Sequence, residues 1–255
     1  MSQYDVVWDG NNLNAIPNVE VYNHEFNALP NRNIRQNEVA RADRSIITSA
    51  DYTEKPVTVS LEVCAGSRSQ TEGRLTFVKS LLQRINAPVR VIQSDSEYEY
   101  RATLNSFNIE WDGTTALVEV GATAADPIGY ETTVRTILDE NLTVGQTSFT
   151  RIFGGSFRAQ PTFTLNINSV TGGTSGEIQI RNTNTGQGIT LSHDFEDNDT
   201  VIINSAERQA SINGHLVDFA GVFPTFQAGS RGIGYRDNFT GRDIDITATY
   251  IRRIV

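Results

Sequence analysis

The chain has a single cysteine, Cys64, in 255 residues, so it can form no intrachain disulfide and assemble no thiolate metal site. Histidine is almost as scarce. His24, His193 and His215 lie far apart, and no His-x-x-x-His pair or Glu-rich helical motif offers metal ligands. No stretch approaches the roughly 18 consecutive apolar residues of a membrane-spanning helix. The opening MSQYDVVWDG lacks a basic segment followed by an apolar run, so no secretory signal is expected. Positive charge is also in deficit: 21 Lys/Arg against 30 Asp/Glu give a formal net charge of -9. The deficit is concentrated early. Residues 1–140 carry 12 Lys/Arg against 20 Asp/Glu, a net of -8, whereas residues 141–255 carry 9 against 10. Binding to phosphates needs clustered Lys and Arg, so a DNA-binding role is disfavoured. An acidic surface would instead let DNA pass nearby without sticking.

What the sequence does contain is strand pattern and turn residues. With 38% hydrophobic and 20% charged residues it is globular and long enough for two domains. Val57, Val59, Leu61 and Val63 alternate with Thr58, Ser60 and Glu62, the period of a half-buried strand. The period then changes. Leu75, Val78, Leu82 and Ile85 recur at helical spacing, which predicts a helix from about Thr71 to Asn86, capped by Ser69 or Thr71 and ended by Pro88. Strands resume at Val89–Ile92 and over Glu97–Trp111, where a parity shift near Asn105-Ser106 predicts a bulge. Asp112-Gly113 is a tight-turn signal returning into Ala116–Ala122. The stretch from Asn27 to Glu54 has little periodicity. It reads as an extended arm or hairpin that finds its partner in a neighbouring subunit, with Arg32, Arg35, Arg41, Arg44 and Tyr52 as candidate contact residues; a surface loop is the plainer alternative.

From Phe153 onward helical periodicity is absent. Short strands at Thr162–Ile167, Glu177–Asn182, Ile189–Ser192, Val201–Ile203 and Ile244–Ile251 alternate with Gly- and Asn-rich turns, the pattern of a jelly-roll β-sandwich. The expected class is therefore mainly β: a β-sandwich-like domain with one helix over residues 1–140 and a β-sandwich over 141–255. No residue set passes as an active site. Glu196-Asp-Asn-Asp lacks the ligand spacing of a calcium loop and reads as an acidic turn. Gly229-Ser-Arg-Gly-Ile-Gly has no following helix to make a phosphate site. Cys64 lacks the basic setting of a nucleophile. No catalytic residue, metal or cofactor is expected.

The order and spacing of these pieces resemble the distal tail protein family, the baseplate hub component of phages with long non-contractile tails. The resemblance rests on the strand Pro56–Cys64, the helix after it, the Tyr98–Trp111 strand and Val120-Gly-Ala-Thr-Ala-Ala-Asp-Pro-Ile-Gly-Tyr. In the second half it rests on Ile178–Asn182, Gly188-Ile-Thr-Leu, Val201-Ile-Ile, Ala210-Ser-Ile-Asn-Gly, Gly221-Val-Phe-Pro-Thr-Phe and Asp243–Arg252. It implies a structural virion protein, made in the host bacterial cytoplasm. Its first domains would form a hexameric ring around a DNA channel, and its second domain would be a galectin-like sandwich. The implied partners are the tail tube protein, a tail-tip or tail-associated protein and, in some members, receptor-binding proteins. Two other readings stay open: a carbohydrate-binding module using the C-terminal sandwich, and a glycosidase, which would need two carboxylates flanking a cleft.

Overall fold

The computed structural model describes residues 5–26, 30, 32–38, 45–93 and 96–254, with 32–38, 45–52, 92–93 and 96 described by their backbone alone. The chain divides into two compact units, residues 1–132 (with Val255) and 133–254; the boundary expected after residue 140 lies further along the same strand.

In the first unit the strands are β1 (Val6–Trp8), β2 (Asn11–Asn12), β3 (Val19–Glu25), β4 (Arg32–Glu38), β5 (Ser45–Tyr52), β6 (Lys55–Cys64), β7 (Ala87–Gln93), β8 (Ser96–Asp112) and β9 (Thr115–Ala124). Seven of them make an antiparallel sheet in the order β3-β6-β9-β8-β7-β1-β2. The alternation read in β6 is the reason for its central place. Val57, Val59, Leu61 and Val63 are all buried while Thr58, Ser60 and Glu62 face the other way. The bulge lies where the parity shift placed it, with the β8–β9 register slipping between Leu104 and Ser106. Gly113, at φ +61, makes the turn between these two strands.

The helix α1 covers Arg68–Leu82, starting and ending earlier than its periodicity predicted. Ser67 is the cap, its side chain accepting from the Gln70 N–H, so neither Ser69 nor Thr71 serves. Thr71 is buried inside the first turn instead. Ile85 is not on the apolar stripe; it lies past the helix and is 78% exposed. The chain leaves the helix through Gln83 and turns at Asn86, φ +54, before Pro88 is reached.

The second unit takes the later part of β10 (Gly129–Leu142), whose first residues pair with β8. Its other strands are β11 (Gln146–Phe153), β12 (Thr162–Thr171), β13 (Gly176–Asn182), β14 (Gly188–His193), β15 (Thr200–Asn204), β16 (Gln209–Ile212), β17 (His215–Leu216), β18 (Ala220–Gly221), β19 (Gly229–Asp237) and β20 (Gly241–Ile254). They form two antiparallel layers, β17-β16-β15-β12-β20-β10 and β11-β19-β13-β14-β18. Inward residues of both layers fuse into one core, including Phe163, Leu165, Ile246 and Ala248 from one sheet and Ile178, Ile180, Leu191 and Ile233 from the other. Aromatic rings fill its ends: Phe153 stacks on Phe226 at 4.5 Å and Phe195 meets Phe239 edge-on at 5.5 Å. The unit is a β-sandwich.

Candidate assembly surfaces

The outward face of β3, β6, β9 and the second half of β8 follows from the pleat. Residues opposite the buried rows are Glu20 and Glu25 on β3, Thr58, Ser60 and Glu62 on β6, Leu117, Glu119 and Gly121 on β9, and Ser106, Asn108, Glu110 and Asp112 on β8. All six of these carboxylates are exposed, and among the described residues no Lys or Arg lies on this four-strand part of the face. Glu20 stands directly opposite Glu62 in the register. Like charges paired across strands oppose sheet formation, so this arrangement does not serve stability. Apart from Leu117 the remaining side chains are small or polar, and Gly121 leaves room for the Ser106 hydroxyl, which a Cβ there would approach to 2.4 Å.

The same face is electrically different around β7 and the first half of β8. Arg90 donates to Glu99 at 2.9 Å and reaches Glu97 at 3.4 Å, while Arg101 lies 3.8 Å from Glu99. The hydrogen bond to Glu99 holds the Arg90 guanidinium pKa above its ordinary value. The uncompensated charge is thus confined to the four-strand part of the face.

The stretch read as an arm contains β4 and β5, paired antiparallel as a two-stranded ribbon separate from the other sheets. In its register Arg32 stands opposite Tyr52 and Arg35 opposite Ser49. Arg41 and Arg44 lie outside the described residues. Along the chain the ribbon lies between β3 and β6.

The features weighed as chemistry are placed in structural roles. Gly229-Ser-Arg-Gly-Ile-Gly is part of strand β19, paired with β11 and β13. In the Glu196–Asp199 turn the carboxylates cap backbone: Asp197 accepts from the Val170 N–H at 2.7 Å and Asp199 from the Glu196 N–H at 2.8 Å. The three histidines sit on separate elements. His24 packs edge-on to Phe26 at 5.2 Å, and its burial pushes its pKa below the ordinary imidazole value, a backbone hydrogen bond partly opposing. His193 packs against Phe195, and His215 is exposed on β17. Among the described residues no group of three or more His, Cys, Asp or Glu could hold a metal ion. Nor do Tyr235 and Tyr250 of the sandwich offer an exposed platform for a sugar: Tyr235 is buried with its hydroxyl on Asp237 at 2.6 Å, and Tyr250 is buried and accepts from the Gly154 N–H at 2.9 Å. On the outer face of the sandwich Asn141 and Asn168 donate to Asp245, both at 2.9 Å, and hold its carboxyl below the usual carboxylate range.

Sequence reading anticipated a hairpin in the arm and an acidic first half, but not which carboxylates share a face. The signal was present as Glu at the polar parity of successive strands, but it becomes a surface only once the register sets Glu20 opposite Glu62 and puts Glu119, opposite Ser60, on the same face.

Comparison with known proteins gives one family match and a shared fold. No curated protein matches. Residues 154–253 match the family described as siphovirus-type tail component, C-terminal domain. The crystal structure of the SPP1 Dit (gp 19.1) protein, a hub of the adsorption apparatus in phages infecting Gram-positive bacteria, superposes with a TM-score of 0.68 at 16% identity, covering 99% of both chains. A chain of the phage P2 baseplate in its activated conformation with calcium aligns over 98% of this chain and 97% of its own at 9% identity; its TM-score of 0.41 is too low to carry an argument. Residues 154–253 thus match the siphovirus-type tail component domain, and the whole chain shares its fold with the SPP1 Dit protein.

Proposed function

We propose that this protein is a structural component of a phage virion. It forms a hexameric ring at the distal end of a long non-contractile tail and joins the tail tube to the tail tip or baseplate. It acts through interfaces rather than turnover. The observation that carries this reading is the siphovirus-type tail component match at residues 154–253 within a chain whose whole fold is that of a tail hub protein.

In this reading the first unit, with the stretch to residue 140, builds the ring, and the β4–β5 ribbon reaches a neighbouring copy, with Arg32, Arg35, Arg41, Arg44 and Tyr52 as the contact residues. The second unit faces partners: the tail tube protein, a tail-tip or tail-associated protein, or receptor-binding proteins. The carboxylate face of β3, β6, β9 and β8 supports a lumen through which DNA passes. Phosphates are repelled there and counterion release gives no affinity. A head-to-tail interface whose rotation closes produces such a ring.

The test is the mass of the purified protein in solution by light scattering, followed by negative-stain imaging. The expected result is a particle of six 28.1 kDa chains with a central hole. A species that stays monomeric over a wide concentration range argues against self-assembly.

A further inference from the structure

The first unit leaves one long sheet edge open. Strand β7 pairs with β8 only as far as Ala102, while β9 takes the opposite edge from Ala102 to Asp112. Strand β10 meets β8 at Tyr98 and Glu99, also opposite β7. Among the described residues, the β7-side edge of β8 from Thr103 to Asp112 therefore has no strand partner. The other free edges differ. β2 has two residues, and β3 is broken by a register shift between Val21 and Asn23. Natural sheets blunt their edges with bulges, prolines or lysines. Past its own bulge, Ser106–Asp112 of β8 contains none of these. Its inward-parity row is incompletely covered: Ile109 is 44% exposed, and Trp111 is half-buried under the Arg68 guanidinium, 4.5 Å from the ring.

We infer that the Ser106–Asp112 edge of β8 is the acceptor for the β4–β5 ribbon of a second copy of this chain, joined by β-strand addition. This rests on the proposed self-assembly and names the surface that receives the ribbon. Three observations favour this occupant. The ribbon's strands pair only with each other among the described residues, so each has an unpaired outer edge. Its β4 strand spans seven described residues, and the part of the open β8 edge past the bulge, Ser106–Asp112, spans seven as well, about 23 Å at the usual rise per residue. The charges are complementary: the acceptor segment carries Glu110 and Asp112 and no base, while β4 carries Arg32 and Arg35 against the single acid Glu38. Donor and acceptor are different surfaces of one chain, so the contact is heterologous and each copy can give one ribbon and receive one.

Two variants test the inference by complementation. Ile109→Lys puts a charge on the open edge; a second variant replaces residues 32–52 with a short Gly/Ser linker. Each alone should be monomeric by light scattering at concentrations where the unaltered chain is assembled. Mixed at 1:1 they should form a pair of twice the monomer mass, because each retains the half the other lacks. An Ile109→Lys protein that assembles like the unaltered chain overturns the inference and leaves the ring reading standing; so does a mixture that stays monomeric although both variants melt like the parent. An unaltered chain that is itself monomeric overturns both. Should Ile109→Lys fail to fold, disulfide trapping in a Cys64→Ser background decides the matter. Asn108→Cys mixed with single cysteines placed in turn at positions 33 to 37 should give a crosslink between copies, and its absence at all five positions rejects the acceptor edge.

Discussion

Lys55 sits on the buried row of β6 that also holds Val57 and Val59, and its Nζ donates to the Tyr100 hydroxyl at 3.3 Å. Burial pushes its pKa below the ordinary lysine value of 10.5, while burial, with the neighbouring Tyr98, pushes that of Tyr100 above its ordinary 10.0. The two shifts act in opposite directions on stability. Between the lowered folded-state pKa of Lys55 and 10.5 the unfolded chain holds a proton that the folded chain has released, so stability rises with pH in that window. Above pH 10 the unfolded tyrosine ionises while the folded one does not, and stability falls again. Urea midpoints taken from pH 7 to pH 10 should rise for the parent chain and rise less for Lys55→Met; identical slopes would remove Lys55 from the account. Glu62 gives a second prediction at this scale. It faces Glu20 directly, so Glu62→Gln should stabilise the first unit by roughly 0.2–1 kcal/mol in chemical denaturation, with the gain shrinking as salt is added.

At the scale of elements, α1 is held by one side chain more than by its cap. The Thr71 hydroxyl accepts from the Ala65 N–H at 3.1 Å and donates to the Thr114 carbonyl at 2.9 Å, tying the first helical turn to the end of β6 and to the β8–β9 turn. Thr71→Val keeps the shape and removes both bonds, and should cost about 1–3 kcal/mol. Ser67→Ala, which removes only the cap, should cost about 1 kcal/mol or less; the comparison is read from thermal or urea unfolding. The sequence disclosed β6, the β8 bulge and the existence of α1, because in each a strong apolar period coincides with burial. It misled at both helix ends, where Ser67 and Asn86 act through backbone geometry that carries no hydrophobic signal. It was nearly silent on β10, β11 and β19. The first two are largely solvent-facing, so polar residues dominate them. β19 reads as a loop because its outward positions are glycines with a reason to be so: a Cβ at Gly232 would lie 2.0 Å from the Thr183 hydroxyl, and one at Gly234 would lie 3.0 Å from Arg181. The ribbon was legible only as an aperiodic interval rich in arginine, since the segment that would supply its buried period belongs to another chain in our proposal.

At the scale of the whole molecule, the net charge of -9 acquires a place once the sheet register is known. The second half of the chain is nearly neutral, and the ion pairs around Arg90 neutralise one part of the first unit, so the bare carboxylates on β3, β6, β9 and β8 dominate what a passing polyanion would meet. If that face lines a DNA passage, its sign matters more than its individual residues. Replacing Glu20, Glu62, Glu110 and Glu119 together by Lys changes the local charge by eight and keeps the small polar side chains between them. Filter binding of short duplex DNA at low salt should show no retention by the parent protein and clear retention by the quadruple variant. The affinity gained should fall linearly with the logarithm of salt concentration, as it does when phosphates are neutralised by lysines. A control that reverses four exposed acids of the second unit, Glu177, Asp194, Glu207 and Asp218, separates position from total charge. If the control retains DNA as strongly, the repulsion belongs to the molecule's overall acidity; if only the first-unit variant does so, it belongs to the face on which a continuous sheet has gathered it.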